Sequence, residues 1–224
     1  YFDLIPLGGR RVAITIADVA GKGLEAAIEA VRIKHTVQSY ATAGYSPGEL
    51  LRLLNEQLHR TAEDLPRMVT LFYGEMDLDR GTFTFASAGH EPPIAWHGGE
   101  FTPEHLHSDG IVLGALPDAD YDQQCMDLQE GTWVALYTDG ITEARSSDGE
   151  LFGVERLLEL LRPSAGLTAR MLSERIQRAV HEFTGGEVTD DLSLLILRCQ
   201  EVRPLPLLDS AARAGQESGT ARLT

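Results

Sequence analysis

Three places in the sequence put a carboxylate beside a stretch that reads as a β-strand. Asp18 follows Arg10–Ala17, where Val12, Ile14 and Ile16 alternate onto one face. Asp139 follows the short apolar run Trp133–Tyr137, and Asp190 and Asp191 precede the apolar run Leu192–Leu197. A strand end delivers its neighbour to a defined place, so three such ends can converge on one point. Carboxylates brought together repel, and divalent cations, which prefer oxygen ligands, relieve that repulsion. Each residue also has a plainer reading. Asp139-Gly140 is ordinary turn sequence, Asp18 suits a helix entry, and Asp190 suits a turn cap. Taken singly, none of them specifies a site.

Gly21-Lys22-Gly23 invites two phosphate-binding readings, and both fail. Gly21-x-Gly23-x-x-Ala26 between a strand and a helix has the outline of a dinucleotide fingerprint. That fold needs a second parallel strand after the helix with an acid at its tip, whereas here another helix follows and positions 43–46 hold no acid. A P-loop needs Gly five positions before Gly21 and Ser or Thr after Lys22; Ile16 and Gly23 stand there instead.

The elements that would position the carboxylates follow from periodicity. After the first strand, Leu24 to about Ala43 reads as a long helix. Ser46-Pro47-Gly48-Glu49 is a capping box with Pro at the first helical position, and Leu50, Leu51, Leu54 and Leu58 give the next helix one apolar face. Met68–Met76 and Thr82–Ala88 read as strands joined by a turn at Asp79-Arg80-Gly81, and Ile94–Trp96 with Gly98-Gly99 suggests a further hairpin. Pro103–Asp122 reads as loop. Helices are expected near Val154–Leu161 and Thr168–Thr184, and Leu192–Leu197 as a buried closing strand. From Glu201 onward Pro, Ala, Gly and Ser dominate, which reads as a linker or tail. Two helices inserted between a first strand and several hairpins favour a mixed, mostly antiparallel α+β domain over a doubly wound sheet.

Composition sets the outer limits. At 224 residues, 43% hydrophobic and 24% charged, the chain has the composition of an ordinary globular domain. Thirty-four Asp and Glu against nineteen Lys and Arg give a net charge of -15, and no basic patch offsets it, so no nucleic-acid partner is expected. Excess carboxylate suits cation binding, although most of it is expected to be solvated surface. Cys125 and Cys199 lack any CxxC or Cys/His spacing, which fits a reducing compartment and a cytoplasmic location. The apolar runs are too short to insert in a membrane. The opening YFDLIPLGG has no signal-peptide pattern and no initiator Met, and reads as a fragment of a longer protein.

Five segments in order carry a resemblance to a known family. They are Ala17-Asp18-Val19-Ala20-Gly21-Lys22-Gly23 with Glu25-Ala26-Ala27; Ser87-Ala88-Gly89-His90-Glu91-Pro92-Pro93; Tyr137-Thr138-Asp139-Gly140-Ile141-Thr142-Glu143-Ala144; Leu151-Phe152-Gly153; and Thr189-Asp190-Asp191-Leu192-Ser193. Over residues 1–199 the chain resembles the bacterial SpoIIE-like branch of the metal-dependent (PPM, type 2C) serine/threonine protein phosphatases, with 200–224 as a tail or linker. The resemblance implies an α+β fold, a four-layer αββα sandwich of two mostly antiparallel sheets flanked by helix pairs. It implies two Mn²⁺ or Mg²⁺ ions bridged by Asp18, with the Val19 carbonyl as a further ligand to one ion. Asp139 and Asp190 would complete the other ion, and Asp191 would support the site.

The implied activity is hydrolysis of phosphoserine or phosphothreonine by a metal-activated water, with Asp18, Asp139 and Asp190 as the catalytic set. The implied partner is a phosphorylated STAS-type anti-sigma factor antagonist in a partner-switching pathway, and a homodimer is compatible with the branch. The sequence departs from the family in lacking the Gly-Gly-Asp segment that normally precedes an aromatic pair like Tyr1-Phe2. Asp3, a later acid of that segment, is not expected to replace it. A catalytically weak or inactive module binding the same partner is therefore the alternative. Lys22 stands where many members carry His or Asn and reads as solvated rather than as a phosphate contact. His90 reads as a structural loop residue rather than a general acid, and Leu151-Phe152-Gly153 as the docking point of the helix that follows.

Overall fold

The alternating stretch at the start of the chain is one arm of a hairpin. In the computed structural model, which describes residues 1–61, 67–98, 101–162, 166–187 and 191–200, β1 (Phe2–Pro6) pairs antiparallel with β2 (Arg11–Val19). β1 was not anticipated, because in FDLIP the acid and the proline interrupt the apolar alternation. β2 pairs with β3 (Val69–Asp77) in a register that sets Asp18 opposite Thr70 and Val19 opposite Val69. Asp18 therefore lies inside β2, not beyond its end, because β3 supplies partners for two more residues.

β3 continues antiparallel to β4 (Thr82–Ala88), and β7 (Gln124–Asp127) completes a five-stranded sheet ordered β1-β2-β3-β4-β7. The second sheet contains β5 (Ile94–His97), β6 (Glu104–His105), β8 (Thr132–Tyr137) and β9 (Leu194–Arg198) in the order β6-β5-β8-β9. Two expectations change here. The stretch Pro103–Asp122 is mostly loop but contains the two residues of β6, which the Ile94 hairpin captures. β9 starts two residues later than expected and is half-buried through Leu197, because it lies at the edge of its sheet.

Alternation on both sheets creates three apolar layers. Ile14, Ile16, Phe72, Phe83 and Phe85 of the first sheet meet Ala95, Val134 and Leu136 of the second. The opposite face of the first sheet, including Ala17, Leu71 and Tyr73, is covered by α1 (Leu24–Ala43) and α2 (Pro47–Thr61). The outer face of the second, including Trp96, Trp133 and Tyr137, is covered by α4 (Gly153–Leu161) and α5 (Ala169–Phe183). The result is the αββα sandwich.

The helix signals hold at atomic detail. The Ser46 backbone N–H and hydroxyl both donate to Glu49 Oε2, at 3.1 and 2.7 Å, and all four leucines of the α2 stripe are buried. Thr168 caps α5 by accepting from the Met171 N–H at 3.2 Å. Phe152 is buried and meets Phe183 edge-on at 5.3 Å, which docks α4 against α5. Among the described residues no helix is long and apolar enough to cross a membrane.

The intersheet layer leaves no room at Gly74. A Cβ built there would lie 2.4 Å from Phe83 Cε2. Gly74→Val should lower stability by about 1–3 kcal/mol through overpacking, read as a lower urea midpoint with an unchanged slope.

Candidate functional site

The β2–β3 register carries Asp18 and Val19 to one end of the sandwich, where the chain leaves β2 through Ala20–Gly23 into α1. Asp18, Val19, Gly21, Lys22 and Asp191 line one cavity of about 610 Å³ there, together with Tyr1 and the alanines of the first turns of α1. The turn depends on Gly21, whose φ of +119° lies outside the range of ordinary side chains. A Cβ on Gly21 would also lie 2.8 Å from Arg67 Nη1, and Arg67 in turn pairs with Glu25 at 2.5 Å. Lys22 is exposed at the cavity wall.

The Tyr1 nitrogen donates to the Ala17 carbonyl at 2.7 Å and the Ala17 N–H donates to the Tyr1 carbonyl at 2.8 Å, which extends the β1–β2 ladder to the edge of the cavity.

A seam of hydrogen bonds joins the second sheet's two acidic ends. The Thr138 hydroxyl donates to the Asp191 carbonyl at 3.2 Å and accepts from the Ser193 N–H at 3.0 Å, and the Thr138 N–H donates to the Ser193 carbonyl at 3.1 Å. Asp139 then opens α3 (Asp139–Thr142), a single helical turn in place of the simple turn expected from Asp-Gly. A Cβ on Gly140 would lie 2.5 Å from the Asp191 carbonyl oxygen, so only glycine lets the two segments come this close.

The field around Asp139 is strongly negative. Burial, then Asp139, then Glu143 raise the pKa of the half-buried Glu91 carboxyl. Its neighbour His90 is buried, with Nδ1 2.8 Å from Thr70 Oγ1. Burial pushes the His90 pKa down to about 4, against a smaller opposing contribution from the Tyr137 backbone. The imidazole is neutral at pH 7.

The structure thus brings Asp18, Val19 and Asp191 together around one cavity and ties the Asp139 segment to Asp191 directly. Asp190 lies outside the described residues, as do Thr189 and the tail from Glu201. Asp3 turns away to α1, accepting from Gln38 Nε2 at 2.7 Å with Lys34 Nζ 3.6 Å off. Among the described residues, no three His, Cys, Asp or Glu side chains form a group that could hold a metal ion. The donors that do converge are oxygens. That chemistry fits Mg²⁺ or Mn²⁺ rather than a thiolate metal. Thr138 and Thr70 received no role from the sequence. Thr138 lay within a recognised segment, but a hydroxyl's partner 53 residues away leaves no local signal.

Comparison with known proteins bears on the family and the fold. The family model for Stage II sporulation protein E (SpoIIE) matches residues 8–200. Phosphoserine phosphatase RsbU of Bacillus subtilis (strain 168) is 33% identical over 187 residues, spanning 84% of this chain and 55% of that protein. The chain therefore spans about half the length of this curated relative. Among solved structures, the SiaA-PP2C domain of Pseudomonas aeruginosa superposes with a TM-score of 0.78 at 21% identity, covering 88% of this chain and 79% of that one. The RsbU and RsbW domains of Rv1364c from Mycobacterium tuberculosis give 0.74 at 23% identity, covering 92% and 56%. Identities this low carry the fold.

Two outcomes follow from the geometry. Thr138→Val keeps the shape but strips the seam of its hydroxyl, and should destabilise the fold by about 1–3 kcal/mol in urea unfolding. His90 has a folded pKa of about 4, below its unfolded value of about 6.5. The unfolded state then binds more protons between those values, so the contribution of His90 is intact above about pH 6.5 and lost as pH falls towards 4. Non-titrating His90→Asn should flatten the fall in stability across that window relative to the unaltered chain, measured by urea unfolding at each pH.

Proposed function

The chain belongs to the Stage II sporulation protein E (SpoIIE) family, and from that premise we propose that it is a metal-dependent phosphoserine/phosphothreonine protein phosphatase. One observation carries the reading: Asp18, on β2 of the first sheet, and Asp191, just ahead of β9 of the second, line a single cavity to which the Asp139 segment is hydrogen-bonded. Asp18, the Val19 carbonyl, Asp139 and Asp190 would hold two Mn²⁺ or Mg²⁺ ions, with Asp191 in support. When bound, such ions activate water at neutral pH and neutralise charge on a phosphoryl group.

The chain's own residues do the rest. β2 fixes the Asp18 carboxylate beside the Val19 carbonyl. The Thr138 seam sets the spacing between the Asp139 and Asp191 segments. The Gly21–Gly23 turn, with glycine at both positive-φ positions, forms part of the cavity wall. Lys22 stands at that wall and offsets part of the negative field that an incoming phosphate meets.

The substrate we assign is the phosphorylated form of a STAS-type anti-sigma factor antagonist, by analogy with the relatives named for phosphoserine phosphatase activity. We place the protein in the cytoplasm, take residues 1–199 as the phosphatase domain with a tail beyond, and allow a homodimer. A non-catalytic module binding the same partner is the second reading.

Phosphate release from a phosphoserine STAS-type protein, followed across a Mn²⁺ titration, separates the two. Asp18→Asn and Asp139→Asn should each reduce turnover by more than the roughly ten- to a hundredfold typical of losing a supporting residue. Partner binding with no Mn²⁺-dependent release by the unaltered chain would establish the second reading instead.

A further inference from the structure

We propose that His90 is a positioning residue, a strut between the two sheets that sets where the Asp18 strand end stands relative to the Asp139 strand end. Thr70, which holds His90 Nδ1 at 2.8 Å, is the residue directly opposite Asp18 in the β2–β3 register. On its other side the ring lies against the backbone of Tyr137, two residues before Asp139. The two sheets share no strand among the described residues. At this end the connection from β4 to β5 joins them, and His90 sits in it with contacts that bracket both acids.

The ring has little freedom to serve otherwise. Its Nε2 is buried without a hydrogen bond of ordinary geometry, and the residue does not line the cavity that holds Asp18 and Asp191. A proton donor to a leaving group would need access to that cavity. The loop that carries it is rigid. Gly89, at φ +63°, donates to the Gly110 carbonyl at 3.0 Å, and a Cβ there would lie 2.6 Å from Val112 Cγ2. The His90 N–H meets Ser87 Oγ at 3.3 Å. An uncharged imidazole offers one donor and one acceptor, and Nδ1 uses one of them on the Thr70 hydroxyl. Groups that orient metal ligands act in this way on affinity without touching the ion.

The inference rests on the metal-site reading, so its test measures cation binding separately from turnover. Mn²⁺ affinity of the 224-residue chain is read by electron paramagnetic resonance of the free ion, alongside kcat and KM on a phosphoserine protein at saturating Mn²⁺. His90→Phe should weaken Mn²⁺ binding roughly ten- to a hundredfold and lower kcat while leaving KM unchanged. Thr70→Val should move both in the same direction, and the double variant should be no worse than His90→Phe alone. His90→Asn, whose amide can reach Thr70, should recover most of the loss. Wild-type Mn²⁺ affinity in a folded His90→Phe chain overturns the proposal. If that variant does not melt cooperatively, unchanged affinity in Thr70→Val overturns it instead. An unaltered chain that binds no Mn²⁺ overturns the metal reading and this proposal together, whereas binding that survives the variants overturns only the role of His90.

Discussion

Acids gathered at one end of a sandwich repel one another, and the architecture around this site is organised by the need to hold them close despite that repulsion. Coulomb energy between such groups is modest in water and grows as solvent is excluded. Here the opposing influences are visible. Glu91, close to Asp139 and Glu143, is pushed towards its neutral form by burial and by their charge. The backbone contributes as well, since Thr138, Ser193 and the Asp191 carbonyl close a hydrogen-bonded loop that charge repulsion alone would open.

The fold supplies what a single sheet cannot. Face-to-face packing of Phe72, Phe83 and Phe85 against Val134 and Leu136 fixes the separation of the sheets. The helix pairs then seal the outer faces, so that the strands reaching the rim are packed on both sides. The rim residues inherit their precision from this dense interior. Thr70 and Gly140 make the point at the scale of single atoms. One presents a hydroxyl across the gap, and the other removes the side chain that would hold two segments apart.

Much of this was legible in the sequence, for physical reasons. Helices α1 and α2 announce themselves through leucine spacing and a capping box, both local properties, and the strands β3, β4 and β8 through dense β-branched and aromatic residues. The acids stood out because they adjoin such strands. What escaped depends on partners distant in sequence. β1 and β7 are pattern-poor segments that become strands because β2 and β4 offer them hydrogen bonds. The edge position of β9 made an apolar run half-buried, and no local pattern distinguishes an edge strand from a central one. Asp139 entered a helical turn because its neighbours at Ser193 and Asp191 hold Thr138 in an extended cap conformation.

The register that places Asp18 in β2 and Asp191 just ahead of β9 has a consequence for how the chain comes into being. The acid on β2 is made well before Asp139 and Asp191, so the site can close only once distant stretches of sequence are both present. Long-range pairing of this kind forms slowly, because each contact must close a large loop before it is rewarded. At synthesis rates of about 5–20 residues per second, the nascent chain passes several seconds with its first sheet able to pair and its rim incomplete. The acids of the rim therefore come together only in a late step, with the docking of the last strand.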